Sequence, residues 1–200
     1  MKAVLFDMFG VIARLHSPAA QAVLERMAGG DRDHFWEAYW SQRTPYDRGE
    51  VTGPGYWKAV FAQLHTPLDD RLTADLIAAD LAGWSEVDQC AVDLLGLLAD
   101  RGVVLGLLSN IPEELAAWYE ATQPWLDRFT VRGFSCRIGS AKPEPAAYRW
   151  CIRELGLPAE EILFVDDRPE NVRAAREVGL QGHVFTSVEG LRAVLEPATP

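Results

Sequence analysis

The chain has 200 residues, a formal net charge of −10 and a hydrophobic content of 48%, values typical of a globular protein rather than a disordered or fibrous one. Acidic side chains outnumber basic ones 29 to 19, which opposes binding to nucleic acids or to an anionic membrane surface. The three cysteines are odd in number and far apart in the chain, which favours reduced thiols in a cytoplasmic protein.

Five short apolar runs predict the strands of a sheet. They are Ala3–Phe6, Val103–Leu108, Thr130–Phe134, Ile162–Val165 and Gly182–Phe185. Because each run is nearly apolar throughout, we expect strands that are buried on both faces of a parallel sheet. Single amphipathic helices are predicted after the second, third, fourth and fifth runs, at Pro112–Thr122, Glu144–Leu155, Pro169–Val178 and Ser187–Leu195. This alternation predicts an α/β fold with a doubly wound, Rossmann-like parallel sheet.

The segment that connects the first and second predicted strands is far longer than a single crossover helix requires. Helices are predicted in it from Ser17, from Asp31 or Asp33, over Gly53–His65 and over Leu68–Leu81, with turn signals at Ala28–Gly30, Thr44–Pro45 and Thr66–Pro67. We therefore predict that residues 14–84 form a small helical-bundle cap, and that residues 1–13 and 85–200 form the α/β core. The many aromatic side chains of the cap are predicted to fill its own core. Alternatively, one or two of them line a substrate pocket.

Polar side chains follow the predicted strands, at the edge where parallel sheets bind ligands. They are Asp7, Ser109, Asn110, Lys142, Asp166 and Asp167. Carboxylates placed together repel one another unless a hard cation neutralises them, and Mg²⁺ prefers such oxygen ligands. With the cation bound, Asp7 is suited to attack phosphorus and form an aspartyl phosphate. Lys142 and the Ser109 hydroxyl would balance charge on the transferring oxygens.

Four segments, LFDMFGV, LLSN, SAKPEPAAY and FVDDRPENVRAAREVG, follow one another along the chain. In these motifs and their order, with a helical cap inserted after the first, the chain resembles the haloacid dehalogenase-like (HAD) hydrolases. The resemblance implies that Asp7 is the nucleophile, that Ser109 binds the phosphoryl group, and that Lys142 is the family's lysine. It also implies that Mg²⁺ is held by Asp7, by Asp167, by the backbone carbonyl of Phe9 and, directly or through water, by Asp166.

One position departs from the family pattern. Phosphatases of the family usually carry a second Asp two residues after the nucleophile, where it protonates the leaving oxygen and later activates water; here that residue is Phe9. Loss of this acid should slow the release of an alcohol by roughly a hundred-fold. The 2-haloacid dehalogenases carry Tyr there, but they look metal-free and lack a pair such as Asp166–Asp167.

The function predicted from these residues is Mg²⁺-dependent hydrolysis of a small phosphate ester through an aspartyl phosphate. Two alternatives stay open: a weakly active or non-catalytic regulatory protein that binds phosphate and metal, and a 2-haloacid dehalogenase-like C–X hydrolase. The inserted cap indicates a small-molecule substrate rather than a phosphoprotein. The sequence leaves the oligomeric state open.

Further residues are candidates for smaller roles. The Asn110 backbone N–H is predicted to bind a phosphoryl oxygen, and Asn171 to orient a metal-bound water. Four arginines are candidates to reach an anionic substrate, namely Arg14, Arg43, Arg48 and Arg168. The four histidines show no metal-ligand spacing. The family resemblance also implies a cis Lys142–Pro143 peptide bond.

Overall fold

The computed structural model describes residues 1–195. Its sheet contains five parallel strands, namely β1 (Ala3–Phe6), β2 (Val104–Ser109), β3 (Val131–Phe134), β4 (Ile162–Asp166) and β5 (Gln181–Val184). The strand order is β3-β2-β1-β4-β5, so the order reverses on either side of the central β1. This is the predicted doubly wound α/β fold. It places the carboxyl ends of β1, β2 and β4 next to one another.

Burial explains why the central strands are apolar. In β1, Val4 and Phe6 pack into the hydrophobic core on one face of the sheet, and Ala3 and Leu5 pack into the core on the other. The expectation of burial on both faces is wrong for β5, whose first residue, Gln181, is exposed and whose other residues are half-buried. β5 is an edge strand, with β4 as its only strand neighbour in the described sheet, and unlike the other edge strand, β3, it carries the polar residues Gln181 and His183.

Five helices fill the connection between β1 and the next core helix, and their bounds are α1 (Pro18–Ala28), α2 (Arg32–Ser41), α3 (Arg43–Asp47), α4 (Gly53–Gln63) and α5 (Asp70–Gly83). Side-chain caps begin four of them, with Ser17, Asp31, Thr52 and Asp69 accepting from backbone N–H groups of the first turn. A separate hydrophobic core lies between these helices and buries most of the cap's aromatic side chains.

The short helix α3 corrects one prediction. The turn predicted at Thr44–Pro45 lies inside α3, because proline is tolerated in the first turn of a helix, where its missing N–H would have no partner. Helix α5 begins at Asp70 rather than at the predicted Leu68 because Asp69 caps it. The first of these corrections places the polar residues of Arg43–Asp47 on a helix.

The helices of the α/β core cover both faces of the sheet. They are α6 (Gln89–Asp100), α7 (Glu113–Thr122), α8 (Ser135–Ile138), α9 (Pro145–Leu155), α10 (Pro169–Glu177) and α11 (Val188–Leu195). Residues of α6, α7 and α11 pack on one face, and residues of α9 and α10 pack on the other. Gly156, at positive φ, ends α9, and Gly179 follows α10, as predicted. The four-residue helix α8 was not predicted.

The chain leaves the core and returns to it at one place. Ala13 and Val87 form an antiparallel bridge, the Arg14 N–H donates to the Glu86 carbonyl at 2.8 Å, and the Asp88 N–H donates to the Ile12 carbonyl at 2.9 Å. A paired stem of this kind joins the cap to the core. The boundaries at residues 14 and 84 stay a prediction.

No helix within residues 1–195 is long and apolar enough to cross a membrane. The three cysteines are unpaired, with Cys90 exposed, Cys136 half-buried and Cys151 buried. The cytoplasmic location predicted from them stays a prediction.

Candidate active site

A cavity of about 580 Å³ lies between the carboxyl ends of the strands and the cap. Its lining from the α/β core consists of Asp7, Phe9, Trp84, Asn110, Lys142, Pro143, Asp167, Arg168 and Asn171. Its lining from the cap consists of Leu15, Trp40, Arg43, Thr44 and Asp47. Most of the residues that the sequence singled out for chemistry therefore surround one cavity.

Asp7 follows the last residue of β1 and is 5% exposed. Its Oδ1 accepts a hydrogen bond from the Met8 N–H at 2.6 Å and lies 2.5 Å from Lys142 Nζ. Burial and the neighbouring Asp166 carboxylate raise the pKa of Asp7 to about 7, against the opposing effect of the Lys142 ammonium. The Met8 N–H and Lys142 Nζ both contact Oδ1, so Oδ2 is the oxygen available to react.

Lys142 joins the two carboxylates at the base of the cavity. Its Nζ lies 2.5 Å from Asp7 Oδ1 and 2.8 Å from Asp166 Oδ2. Burial alone would lower the pKa of Lys142, but these two carboxylates outweigh burial and raise it, so the side chain carries its positive charge. The Lys142–Pro143 peptide bond is cis, as predicted. Asn110 fixes the backbone here, since its side chain donates to the Lys142 carbonyl and accepts from the Lys142 N–H.

The two consecutive aspartates after β4 differ in what they contact. Asp166 is fully buried, and both of its oxygens accept hydrogen bonds, from Lys142 Nζ, the Arg168 N–H and Asn171 Nδ2. Asp167 lines the cavity, and its buried Oδ1 has no partner among the described residues. Burial and the Asp166 carboxylate raise the pKa of Asp167. Asp167 is therefore the better placed of the two to bind a cation directly, with Asp166 orienting Lys142.

The carboxylates fit a divalent cation. One oxygen from each of Asp7, Asp166 and Asp167 lies within 4.8 Å of the others, and hard cations prefer oxygen ligands. Gly10, at φ +86°, leaves room for Asp167, because a methyl group in its place would overlap the Asp167 carboxylate. In the same loop, the backbone bonds converge on the carbonyls of Met8 and Ala13, and the Phe9 carbonyl accepts none of the hydrogen bonds described within residues 1–195.

Two predicted residues lie differently from the rest. Ser109, the last residue of β2, is fully buried outside the cavity lining, and its hydroxyl has no hydrogen-bond partner among the described residues. Its role in binding a phosphoryl group stays a prediction. Asn171 both lines the cavity and donates to the two oxygens of Asp166 at 3.0 Å, so its amide also orients that carboxylate.

The four candidate arginines divide into two groups. Arg14 pairs with Glu86, and Arg48 pairs with Glu144, both outside the cavity lining. Arg43 and Arg168 line the cavity. The sequence reasoning missed Leu15, Thr44 and Asp47 as lining residues. No local signal marks them, since they lie there only through the packing of the cap on the core. Pro143 lines the cavity next to Lys142, within a segment that the sequence marks.

The aromatic side chains of the cap region divide in a similar way. Phe35, Tyr56, Trp57 and Phe61 fill the cap core, as the first interpretation predicts. Trp40 and Trp84 line the cavity, as the alternative predicts. Of these two, Trp84 packs with the core of the α/β unit rather than with that of the cap.

Magnesium ions are expected to raise the melting temperature, and more so at high pH. In the folded protein the pKa of Asp7 is raised to about 7. Between pH 4 and pH 7 the folded protein therefore still holds a proton on Asp7, whereas the unfolded chain has lost it. Without metal, the free energy of unfolding falls as the pH rises through this window. At 10 mM Mg²⁺ we expect a rise of about 2–4 °C at pH 8 and a smaller one at pH 5, where protons compete for the same oxygens.

Differential scanning fluorimetry at constant ionic strength measures this effect. Asp167→Ala should lose most of the shift, and Asp100→Ala, which changes an exposed aspartate of α6, should keep it. Equal melting temperatures in Mg²⁺ and in EDTA at pH 8 would contradict a metal site at these carboxylates.

Comparisons with known proteins agree with the family resemblance seen in the sequence. A model of haloacid dehalogenase-like hydrolases matches residues 1–179. The chain is 27% identical over 186 residues to the sesquiterpene phosphatase astK of Aspergillus oryzae, a match that covers 90% of this chain and 88% of that protein. It is 30% identical over 113 residues to the chloroplast flavin mononucleotide hydrolase 1 of Arabidopsis thaliana, which covers 55% of this chain and 44% of that protein.

The fold also matches solved structures. A HAD family enzyme of Bacteroides thetaiotaomicron superposes with a TM-score of 0.82 at 20% identity, covering 98% of this chain and 99% of that one. The same enzyme has been solved in complex with magnesium and inorganic phosphate. Because the family model spans nearly the whole described chain, the chain belongs to the haloacid dehalogenase-like hydrolases.

Proposed function

We propose that this hydrolase is a Mg²⁺-dependent phosphatase that acts on a small phosphate monoester through an aspartyl phosphate on Asp7. The observation that carries the proposal is the cluster of three carboxylates within 4.8 Å of one another, with the Lys142 ammonium 2.5 Å from Asp7. A site with these charges suits a phosphoryl group, whose transfer depends mainly on positioning and charge balance.

The residues divide the work as follows. Asp7 and Asp167 would hold Mg²⁺ together with the Phe9 carbonyl, and the bound cation would neutralise charge on the phosphoryl oxygens and on Asp7. Asp7 Oδ2 attacks phosphorus while the bond between phosphorus and the ester oxygen breaks. Lys142, Ser109 and the Asn110 N–H stabilise the transferring oxygens. Water then attacks the aspartyl phosphate, releasing inorganic phosphate and regenerating the Asp7 carboxylate.

Phe9 decides which esters react fastest. Its side chain has no acidic group to protonate the leaving oxygen. Its ring packs edge-on against Trp84 and Tyr119, with centroid distances of 5.0 and 5.9 Å. The leaving group must take its proton from solvent. Esters of acidic alcohols and phenols should therefore be hydrolysed faster than those of simple alcohols.

The charge of the site favours phosphate esters over haloacids. Asp7, Asp166 and Asp167 together outweigh the single Lys142 ammonium among them, so the site calls for a cation. A bound Mg²⁺ would engage the oxygens of a phosphoryl group, whereas a halide leaves without help from a metal. The two relatives named above are called a phosphatase and a flavin mononucleotide hydrolase, which also supports phosphate-ester hydrolysis. The remaining alternative is a protein that binds Mg²⁺ and phosphate with little turnover, and the missing acid at Phe9 is what favours it.

A single assay tests the proposal. The purified protein is incubated with 4-nitrophenyl phosphate in Mg²⁺ or in EDTA, and the release of phosphate is followed. Because the nitrophenolate leaves without a proton, we expect turnover in Mg²⁺ even though the site lacks a general acid. We expect EDTA to reduce this turnover at least about a hundred-fold, because it removes the metal. Binding of Mg²⁺ and phosphate without turnover would support the regulatory alternative, and turnover that is equal in EDTA would contradict a metal-dependent mechanism.

A further inference from the structure

The cap side of the cavity has an apolar surface. Leu15 and Trp40 are large hydrophobic residues with 54% and 53% of their surface exposed, and both line the cavity. Phe9 and Trp84 continue this surface toward Asp7, with Trp84 6.3 Å from Trp40 between ring centroids. Exposed hydrophobic side chains that converge on one cavity indicate an apolar ligand.

The cations of the cavity are already paired. Arg43 donates from Nε to Asp47 at 2.9 Å and from Nη1 to Tyr39 at 2.7 Å and to Asp80 at 3.3 Å. One buried guanidinium thus lies between two carboxylates, and one of these, Asp47, lines the cavity as well. A second anion on the substrate would have to approach this carboxylate without an uncommitted cation beside it.

The two other cations that line the cavity also have acidic partners. Arg168 lies 2.9 Å from Glu170, with its side chain 66% exposed to solvent. Lys142 lies between Asp7 and Asp166, where the proposed reaction needs it for the phosphoryl group. Among the described lining residues, the part of the cavity away from Asp7 therefore offers an apolar surface and a carboxylate, and each cation there has an acidic partner.

We propose that this part of the cavity, formed by Phe9, Leu15, Trp40 and Trp84, binds an apolar, uncharged leaving group. The preferred substrates are then monophosphates of apolar phenols or alcohols, rather than esters that carry a carboxylate or a second phosphate. This inference rests on the proposed phosphatase function and narrows its substrate class. It assigns Trp40 and Leu15 as specificity-determining residues.

Three aryl phosphates test the preference: 2-naphthyl, phenyl and 4-carboxyphenyl phosphate. The naphthol and the carboxyphenol are of similar acidity, so the two are similarly good leaving groups. We expect the kcat/KM for 2-naphthyl phosphate to exceed that for 4-carboxyphenyl phosphate by at least about ten-fold, because of added apolar contact and absent repulsion. Equal values, or a preference for the carboxylate, would overturn the inference.

Variants locate the preference in the cap. Trp40→Ala and Leu15→Ala should lower the ratio of naphthyl to phenyl hydrolysis by about three- to ten-fold. Leu97→Ala, which removes a 41% exposed leucine of α6 outside the cavity lining, should leave it unchanged. Thr44→Arg should raise hydrolysis of 4-carboxyphenyl phosphate, since it adds a cation to an exposed lining position. If Trp40→Ala slows all three esters equally, Trp40 is not a specificity residue.

A binding measurement separates this inference from the proposed function. If none of the three esters is hydrolysed, the phosphatase function fails, and the leaving-group surface is then tested with non-hydrolysable phosphonates. In Mg²⁺, calorimetry should show 2-naphthylmethylphosphonate binding at least about ten-fold more tightly than 4-carboxybenzylphosphonate, with the difference lost in Trp40→Ala. Equal dissociation constants would overturn the inference whatever the activity.

Discussion

Asp7→Asn is expected to reduce hydrolysis of 4-nitrophenyl phosphate by at least about 10³-fold while the protein stays folded. The amide cannot act as an anionic nucleophile, and it is a poorer ligand for a divalent cation. The side chain keeps its size, so it still fills the site beside Met8 and Lys142, which contact the carboxylate at 2.6 and 2.5 Å.

Stability distinguishes a chemical effect from a folding defect. Because burial raises the pKa of Asp7 to about 7, a charged carboxylate at this position costs free energy in the folded protein above that pH, and an uncharged amide does not. In EDTA at pH 8, Asp7→Asn should therefore melt at or above the temperature of the parent.

The matched control is Asp100→Asn, the same chemical change on an exposed residue of α6, and it should retain full activity. Substantial turnover by a folded Asp7→Asn protein would remove the aspartyl-phosphate mechanism. Rapid-quench capture of a phosphorylated parent, absent from the variant, would support that mechanism directly.

Much of the fold was predictable because the physical signals are local. Strands buried on both faces need apolar runs, and the run that became β1 packs its alternate residues into two separate cores. Caps at Ser17 and Asp31 set the starts of two cap helices. Position in the sheet is not local, and the edge position of Gln181–Val184 leaves most of this strand half-exposed.

The carboxylates of the candidate site were also predictable from the sequence. Asp7 and Asp166–Asp167 stand where parallel strands end, so a sheet of this topology brings them together. The sequence could not show which hydrogen-bond partners each of the two consecutive aspartates has. Asp166 is saturated by hydrogen bonds whereas Asp167 keeps an unpartnered oxygen, a difference that depends on side-chain directions after β4.

The cap was the least predictable part. Trp40 and Trp57 look alike in the sequence as aromatic residues of one helical bundle, yet Trp57 is fully buried and Trp40 is 53% exposed at the cavity. Arg43 was a candidate for binding an anion, but it pairs with Asp47 one helical turn along α3 and with Asp80 of α5. The first pair has the i,i+4 spacing that the sequence shows, whereas the second arises from the packing of α5 against α3, which no periodicity in the sequence encodes.

Phe9→Asp is expected to raise the hydrolysis of alkyl phosphates relative to aryl phosphates by about a hundred-fold, the usual contribution of a general acid. An alkoxide needs a proton as it leaves, whereas a nitrophenolate does not. A plot of log kcat/KM against the pKa of the leaving alcohol should therefore be steep for the parent and shallow for the variant.

Phe9→Asn is the control that isolates the carboxyl group. Both substitutions remove the ring that packs against Trp84 and Tyr119, at a cost of about 2 kcal/mol in the free energy of unfolding for a half-buried aromatic residue. Asn and Asp are nearly the same size, so any difference between the two variants reports on the acid. Chemical denaturation of both would confirm that they stay folded under the assay conditions.

The new carboxylate would also add charge to a cavity that already holds Asp7 and Asp167, and these neighbours raise its pKa and favour its protonated form, against the opposing effect of Lys142 and of bound Mg²⁺. That state is the one a general acid requires, so crowding by the existing carboxylates should help the first step rather than hinder it. If folded Phe9→Asp and Phe9→Asn proteins show the same dependence on leaving-group pKa as the parent, the proton reaches the leaving oxygen by another route. Water, or a proton donor on the substrate itself, would then supply it, and comparing esters with and without a hydroxyl group next to the scissile bond would separate these two sources.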